Sequence, residues 1–425
     1  MKKQIKNRLA EVLWRQVSAL RCNNNFVVIG VVGSVGKTST KLTIAKFLGE
    51  EKRVRFQDGN YNDILSVPLI FFGLDMPKLT SLSAWIKTVR EMKKQLKKDY
   101  PYDVVVLELG TDGPGQIKQF GKYIELDLAV VTAIAPEHME FFHNLDSVAD
   151  EELDVSEYSK DLLLNADMIE SDYLERLKRG YLTYSNYKKA DFVVSKSEWN
   201  KKTMAFDCEF MAAKSKYSGR VHVMGKHQLQ AVNAAVAVSE RLGITSHSIE
   251  KAIDSSSSFP GRMNILRGQN DITIIDDTYN SSPEAVKAAL DTVYSVEFEH
   301  KIAVLGNMNE LGDTSERLHN EIGSYCDPEE LDMVITIGPD SNNYLKAAAD
   351  KRGCKTVAFD DPKELGKYLQ SNAPKGSLIL LKGSQNKVFL EEAVKQLLED
   401  ESDISKLVRQ SSSWLRQKEA SFNRV

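Results

Sequence analysis

Residues 26–40 read FVVIGVVGSVGKTST, an apolar strand pattern that passes through a glycine turn directly into a helical pattern. Gly33 and Gly36 allow backbone N–H groups to approach an anion closely, and the N-terminus of the following helix adds about half a positive charge. Lys37 is placed to reach the terminal phosphates of a nucleotide, and the hydroxyl of Thr38 to hold Mg²⁺. The stretch therefore predicts a phosphate-binding loop.

One position departs from the general phosphate-loop motif G-x-x-x-x-G-K-[ST]. Its first glycine would fall at residue 31, which is Val31. An ordinary glycine-rich turn is the alternative, but the strand and the helix on either side supply the context that the motif requires. We therefore expect a nucleoside triphosphate, and the loop residues predicted to contact it are Gly33, Ser34, Gly36, Lys37, Thr38 and Ser39.

The composition narrows the class of protein. A chain of 425 residues, 42% hydrophobic and 27% charged, is ordinary for a globular protein of two or three domains. The net charge of −4 argues against a nucleic-acid partner. No apolar stretch reaches ~18 residues, so we expect no transmembrane helix. Four widely spaced cysteines without a C-x-x-C pair predict a reduced, cytoplasmic chain: Cys22, Cys208, Cys326 and Cys354.

The first 25 residues predict a basic amphipathic helix rather than a signal peptide. Its apolar face would carry Ile5, Leu9, Val12, Leu13, Val17 and Leu20. Such a helix can lie on an anionic membrane surface or dock on its own domain, and the second placement is the favoured one. Neither placement implies stable insertion into a membrane.

Apolar strand-like runs alternate with helical patterns, which predicts an α/β fold with mostly parallel sheets. The strand candidates are 26–32, 103–109, 127–134, 161–165, 271–277, 301–306, 332–338 and 377–382. The helix candidates are 37–50, 83–98, 227–242, 283–296, 314–325, 361–371 and 386–399. Shorter alternating runs in 181–224 predict antiparallel strands.

A breaker cluster divides the chain near residue 258, where four serines precede Phe259-Pro260-Gly261. We therefore predict four regions: the basic helix at 1–25, a central ATP-binding domain at 26–258, a Rossmann-like C-terminal domain at 259–400, and a helix or tail at 401–425.

Acidic and polar residues follow several predicted strands, at the sheet edge where ligands bind in open α/β sheets. Glu108 ends the run VVVLE and can share Mg²⁺ with Thr38, while His138 follows the next strand. Each is a weak signal alone, but beside a phosphate loop we predict both as site residues.

The run DITIIDD ends in Asp276 and Asp277, and one of these carboxylates can accept hydrogen bonds from ribose hydroxyls. The alternative is a turn or a helix N-cap, and Ser281 and Ser282 are N-cap candidates in the same stretch.

Ten stretches, in order along residues 26–390, resemble the Mur ligase family. They are GSVGKTST, GNYNDILSVPL, VVLELGTDGPGQI, TAIAPEHMEFF, LLLNAD, GKHQLQAVNAA, GRMNI, IIDDTYNSSPEAVKAAL, VLGNMNELG and LLKGS. The phosphate loop of that family also lacks the first glycine, which accounts for Val31. Within the family the chain looks most like the ligases that add D-Ala-D-Ala to a UDP-N-acetylmuramoyl-tripeptide.

The resemblance implies an ATP- and Mg²⁺-dependent ligase of peptidoglycan precursor synthesis. ATP would phosphorylate a substrate carboxylate, and an amine such as D-Ala-D-Ala would displace phosphate from the acyl phosphate. The partners implied are these small molecules, and we expect a monomer. Two other readings stay open: a Mur-like ligase for an acceptor without UDP, and an ATP-binding regulatory or scaffold protein without ligase activity.

The same resemblance implies a role for each matching residue. Catalytic and metal-binding roles fall on Lys37, Thr38, Glu108 and His138, and nucleotide contacts from the C-terminal domain on Arg262, Asp277, Tyr279 and Asn280. Substrate contacts are implied for Asn60, Asn62, Lys382 and Ser384. Nucleotide contacts from two domains imply that the domains close on ATP.

Four features depart from the family pattern. Only the first 25 residues precede the first predicted strand, where the family has a UDP-binding domain. Glu152 replaces a lysine whose carbamate helps to hold Mg²⁺, so it either supplies a carboxylate directly or is a surface residue. Ala231 replaces an asparagine expected near the nucleotide base, and Gln385 replaces an arginine, which removes a bidentate anion clamp.

Overall fold

The computed structural model describes residues 2–57, 61–137, 139, 141–200, 203–212, 215–309, 311–385 and 388–422. The chain divides into two compact units. The N-terminal unit comprises Met1–Trp199, Asp207–Val221 and Leu229–Ser256, and the C-terminal unit comprises Asn200–Phe206, His222–Gln228 and Ser257–Val425.

Strands and helices alternate through the first part of the chain. The strands are β1 Val27–Val32, β2 Val54–Arg55, β3 Val104–Glu108, β4 Leu126–Val131, β5 Ser159–Asn165, β6 Leu182–Ser185, β7 Phe192–Asn200, β8 Ala205–Met211 and β9 Lys216–Val221. The helices are α1 Lys2–Asn23, α2 Lys37–Leu48, α3 Val67–Phe72, α4 Leu82–Gln95, α5 Gln116–Phe120, α6 Leu145–Leu153, α7 Ser171–Glu175, α8 Leu229–Arg241 and α9 Ser246–Asp254.

These strands form one nine-stranded sheet in the order β2-β3-β1-β4-β5-β6-β7-β8-β9. Every pair from β2 to β7 in that order is parallel. The prediction of antiparallel strands from residue 181 onward is therefore wrong for β6, which runs parallel to both neighbours. The direction of β6 is set by its neighbours in the sheet, which its four residues do not encode.

Helix α1 docks on the N-terminal unit, as favoured from the sequence. Trp14 is buried and donates from Nε1 to the Ile64 carbonyl (2.9 Å), and its ring stacks on Tyr123 at 5.6 Å. The buried stripe differs from the predicted one, because Val12 is 38% exposed while Ala10 and Trp14 are buried. The apolar face of α1 is thus part of the core and not a free surface.

The rest of the chain repeats the alternation in the C-terminal unit. Its strands are β10 Asn264–Arg267, β11 Thr273–Asp277, β12 Lys301–Gly306, β13 Met333–Ile337, β14 Thr356–Phe359 and β15 Leu378–Lys382. Its helices are α10 Pro283–Ser295, α11 Ser315–Tyr325, α12 Lys346–Arg352, α13 Pro362–Asn372, α14 Glu391–Leu397 and α15 Ser412–Phe422.

The second sheet has six strands in the order β10-β11-β15-β12-β13-β14. Only the β10–β11 pair is antiparallel, and the other four pairs are parallel. The predicted α/β fold with mostly parallel sheets is confirmed, and each strand and helix candidate has its counterpart. Among the described residues no helix is long and apolar enough to cross a membrane.

Candidate active site

The phosphate loop leaves the middle of the first sheet, between two strands that carry polar residues to the same edge. Val31 of β1 pairs with Glu108 of β3, and Val32 pairs with Val131 of β4. The carboxyl ends of these parallel strands therefore lie together, as ligand sites in open α/β sheets require.

Glycine is required at two positions of the loop. Gly33 has φ +125°, and a Cβ there would lie 2.7 Å from the backbone nitrogen of Ala133. Gly36 has φ +86° and begins α2 without a side-chain cap, so it leaves the first-turn N–H groups of that helix for a ligand. Ser34 ties the loop to the segment that follows β4, because its N–H donates to the Ala133 carbonyl (3.0 Å).

Lys37 lies inside the loop among acidic side chains. Its Nζ donates to the Gly33 carbonyl and forms an ion pair with Glu137 at 3.4 Å, and its side chain is 16% exposed. Burial favours a lower pKa for Lys37, but the carboxylates of Glu137, Glu152 and Glu108 outweigh burial and raise its pKa above the ordinary value. Lys37 is therefore cationic at neutral pH.

Glu152 belongs to this cluster and is not a surface residue, which excludes that alternative. It is 1% exposed, and its Oε2 accepts a hydrogen bond from the N–H of Gly33 at 2.7 Å. Burial raises the pKa of Glu152 well above its usual range, the cation of Lys37 opposes that effect, and the carboxylate of Glu137 adds to it. The glutamate at the family's lysine position thus supports the phosphate loop directly.

Two further charged residues of the site escaped the sequence reasoning. Glu137 precedes the predicted His138, and its pairing with Lys37 has no signal beyond that adjacency. Lys41 lies one turn after Lys37 on α2 and forms a buried ion pair with Glu108 at 3.3 Å. A lysine four residues after the phosphate-loop lysine on one helix face was the available signal.

Of the predicted substrate residues in the N-terminal unit, Asn62 lies beside the end of β3. Its carbonyl accepts the N–H of Gly110 at 2.9 Å, and a Cβ at Gly110 would lie 2.8 Å from Cγ of Asn62. Asn60 and His138 lie outside the described residues.

The acidic residues around the phosphate loop fit Mg²⁺. Two have a buried oxygen without a hydrogen-bond partner, Oε1 of Glu137 and Oε1 of Glu152, while Oε2 of Glu108 faces the Nζ of Lys41 in the ion pair described above. Carboxylate and hydroxyl oxygens are the ligands that Mg²⁺ prefers in proteins. In the described ranges no group of three His, Cys, Asp or Glu side chains is already arranged around a cation position, so phosphate oxygens would have to complete the coordination of Mg²⁺.

In the C-terminal unit, the two aspartates at the end of β11 have different roles. Asp276 is fully buried and accepts the N–H groups of Gly261 (3.0 Å) and Thr278 (3.2 Å), and burial raises its pKa to about 6. Asp277 forms a buried ion pair with Lys382 at 2.7 Å. Asp276 is therefore a structural acceptor, while Asp277 begins the loop of residues 277–280, here called the β11 loop.

The other predicted residues of this unit surround the β11 loop. The guanidinium of Arg262 lies 4.0 Å from the centre of the Tyr279 ring, a cation–π contact. Lys382 donates to the Asn280 carbonyl (3.0 Å), and Ser384 donates to the Ser281 carbonyl (3.4 Å). Both of these predicted substrate residues are buried; Lys382 holds the loop, and Ser384 holds the residue that follows it.

Two successive parts of the sequence match domain families. Residues 31–239 match the Mur ligase middle domain, and residues 261–385 match the Mur ligase glutamate ligase domain. The departures at Glu152, Ala231 and Gln385 lie within those matches; Ala231 is a buried residue of α8.

Known proteins resemble most of the chain. The UDP-N-acetylmuramoyl-tripeptide–D-alanyl-D-alanine ligase of Bacillus subtilis is 30% identical over 380 residues, which are 88% of this chain and 76% of that protein. The crystal structure of MurF from Acinetobacter baumannii superposes with a TM-score of 0.75 at 22% identity, covering 92% of this chain and 80% of that one. The MurF ligase of Thermotoga maritima in complex with ADP gives 0.73 at 24% identity, with 94% and 84% covered.

Proposed function

The chain belongs to the Mur ligase family, and from this premise we propose that it is an ATP-dependent ligase that joins a carboxylate to an amine. The substrates we propose are UDP-N-acetylmuramoyl-tripeptide and D-Ala-D-Ala, as the name of the Bacillus subtilis relative states for that enzyme. The observation that carries the proposal is the glycine loop itself: Lys37 donates to the Gly33 carbonyl and pairs with Glu137, and the buried Glu152 accepts the Gly33 N–H.

The proposed reaction has two balanced steps. A carboxylate oxygen of the peptide attacks the γ-phosphorus of ATP, and the bond from that phosphorus to the β-phosphate oxygen breaks. ADP departs, and the peptide carries an acyl phosphate. The amine then attacks the acyl carbon, the bond between that carbon and the bridging oxygen breaks, and the oxygen leaves with inorganic phosphate. The amine nitrogen loses its proton to the departing phosphate or to solvent. Phosphorylation is needed because a free carboxylate repels nucleophiles and has no leaving group.

Lys37 contributes the fixed positive charge of the first step. Its raised pKa keeps it protonated, and the Gly33 carbonyl and Glu137 hold its Nζ inside the loop. A cation held in advance stabilises charge that develops on a transferring phosphoryl group without reorganisation. Mg²⁺, when bound, would be held by Thr38, Glu108 and Glu152 and would neutralise phosphate charge.

The C-terminal unit would hold the rest of the nucleotide. Its candidates are Asp277 for the ribose hydroxyls and Arg262 with Tyr279 for the base and phosphates. Lys382 supports this role, because it pairs with Asp277 and fixes the Asn280 carbonyl, so the β11 loop is ordered before ligand binds.

The proposal is tested by acceptor-dependent turnover. The protein is incubated with ATP, Mg²⁺, UDP-N-acetylmuramoyl-tripeptide and D-Ala-D-Ala, and phosphate and the amide product are measured together. We expect phosphate release only when both acceptor substrates are present, and none from a Lys37→Met variant. Absence of any acceptor-dependent phosphate would reject ligase activity and favour a regulatory ATP-binding protein, whereas release with a peptide lacking UDP would reject only the acceptor.

A further inference from the structure

The β11 loop is held through its backbone by two buried cations. Arg409 donates from Nη2 to the Thr278 carbonyl (2.6 Å) and from Nη1 to the Tyr279 carbonyl (3.2 Å). Lys382 donates to the next carbonyl, that of Asn280, at 3.0 Å. Three successive carbonyls of one loop are therefore fixed from outside, and Arg409 alone fixes two of them.

The Arg409 side chain is specified by its geometry as well as by its charge. It is 4% exposed and forms a bidentate pair with the buried Glu391, through Nε (2.8 Å) and Nη2 (2.6 Å). Only a planar guanidinium can serve a carboxylate on one side and two carbonyls on the other. Its backbone has φ +56°, an uncommon conformation for a residue other than glycine.

The residue before Arg409 packs on the same turn. A Cβ at Gly261 would lie 2.7 Å from Cγ1 of Val408 and 3.1 Å from the backbone nitrogen of Tyr279. The N–H of Tyr279 in turn donates to the Gly261 carbonyl at 3.1 Å. Gly261 thus lies between Val408 and Tyr279, so the segment at 408–409 reaches the loop directly through the hydrogen bonds of Arg409 and indirectly through Gly261.

Residue 409 lies beyond the stretch 261–385 that matches the glutamate ligase domain. We propose that Arg409 is a positioning residue for the adenine nucleotide: by fixing the carbonyls of Thr278 and Tyr279 it presets the loop that binds ATP. The inference rests on the proposed function, in which the β11 loop contacts the nucleotide. Its effect would fall on nucleotide affinity, because a preset loop loses less conformational entropy on binding.

Lys418 of α15 provides a matched control, because it belongs to the same cluster of buried charges as Arg409, Glu391 and Glu392. Lys418 is also buried and contacts Glu391 (2.7 Å) and Glu392 (2.6 Å). In the described part of the chain it has no hydrogen bond to the β11 loop. Removing Lys418 or Arg409 takes one buried cation from the same cluster, but only Arg409 connects that cluster to the loop.

The experiment measures the Kd of ADP with Mg²⁺ by calorimetry, and KM and kcat for ATP, on the full chain. The variants are Arg409→Met, Arg409→Lys and Lys418→Met. We expect both Arg409 variants to raise the Kd of ADP and the KM of ATP about tenfold while kcat changes less than about threefold, since hydrogen bonds from a charged donor are lost. Lys418→Met should lower the thermal midpoint but leave the Kd within about twofold.

The Lys variant keeps the charge beside Glu391, so it decides the outcome if Arg409→Met does not fold. Equal losses of affinity in Lys418→Met and the Arg409 variants would show a merely structural role and overturn the proposal, as would unchanged affinity in both Arg409 variants. A wild-type chain that binds no ADP would instead overturn the proposed function itself, and the first titration of the series distinguishes the two failures.

Discussion

Gly33 is the residue on which the phosphate loop depends most directly. We expect Gly33→Ala to abolish ADP binding and to destabilise the fold by more than ~1 kcal/mol, because φ is +125° and the new Cβ would meet the backbone of Ala133. Gly180→Ala is the control, since Gly180 has open space around its Cβ position. Calorimetry with ADP and denaturant unfolding test both variants, and equal behaviour of the two would contradict this account of the loop.

Glu152 stands where the family pattern has a lysine that reacts with CO₂. If its carboxylate takes the place of the carbamate, wild-type turnover is independent of bicarbonate, and Glu152→Ala weakens the dependence of ADP binding on Mg²⁺. Glu152→Lys should recover activity only with added bicarbonate. Turnover and Mg²⁺-dependent ADP affinity are measured with and without bicarbonate, and a metal role is excluded if neither substitution changes either quantity.

At the scale of single residues, the sequence located the polar groups but not their pairings. Glu108 and the loop lysine were placed by strand ends and by a motif. The partners Glu137 and Lys41 were not, because an ion pair between distant segments leaves no periodic pattern. Arg409 escaped for the same reason, because its partners Glu391 and the β11 loop lie far from it in sequence.

Among the elements, helix α1 depends on Trp14, which is buried and contacts Phe71, Phe120 and Tyr123. We expect Trp14→Ala to lower the free energy of unfolding by ~3–5 kcal/mol, the usual cost of truncating a buried tryptophan. The neighbouring exposed Arg15→Ala should change it by less than ~0.5 kcal/mol. A small effect of Trp14→Ala in urea unfolding would mean that α1 does not belong to the core.

Helix α11 is tied to the end of β12 through a neutral histidine. His319 is buried, accepts the N–H of Met308 at Nε2 (3.1 Å), and donates from Nδ1 to the Ser315 carbonyl (2.8 Å). Burial lowers the pKa of His319, the Ser315 hydrogen bond and Asp340 opposing it only in part. Its contribution to stability is therefore present above about pH 6.5 and is lost as pH falls through the folded pKa.

We accordingly expect the unfolding free energy of the wild type to fall more between about pH 7.5 and pH 5 than that of His319→Gln, by up to about 1.4 kcal/mol per pH unit. His247→Gln, at an exposed histidine of α9, should leave the pH dependence unchanged. The measurement is denaturant unfolding at each pH, and parallel curves for wild type and His319→Gln would contradict a buried neutral imidazole.

Sequence periodicity predicted the long elements well and the short ones poorly. Continuous Val/Ile/Leu runs such as β3 and β15 identify buried parallel strands. The run VPLIFF forms α3 although its burial is complete, because six apolar residues in a row do not distinguish a helix from a strand. Strand direction in β6 is set by its neighbours in the sheet, which local sequence does not encode.

At the scale of the whole molecule, the resemblance to the family implies ATP contacts from residues of each unit, and Arg262 is the proposed contact in the C-terminal unit. We expect Lys37→Met to abolish acceptor-dependent phosphate release and Arg262→Ala to raise the KM for ATP, because Arg262 covers the Tyr279 ring. Arg267→Ala, at an exposed arginine of β10, is the control. Steady-state kinetics measure the KM for ATP of each variant. An unchanged KM in Arg262→Ala would contradict a role of Arg262 in nucleotide binding.

The most direct test of the central claim follows a single oxygen atom. The peptide substrate is labelled with ¹⁸O in the carboxylate that reacts, and the inorganic phosphate formed with ATP and D-Ala-D-Ala is analysed by mass spectrometry. An acyl phosphate requires one carboxylate oxygen to leave with phosphate, so we predict one ¹⁸O in each phosphate released. Phosphate without the label, formed from water and ATP, would contradict the account.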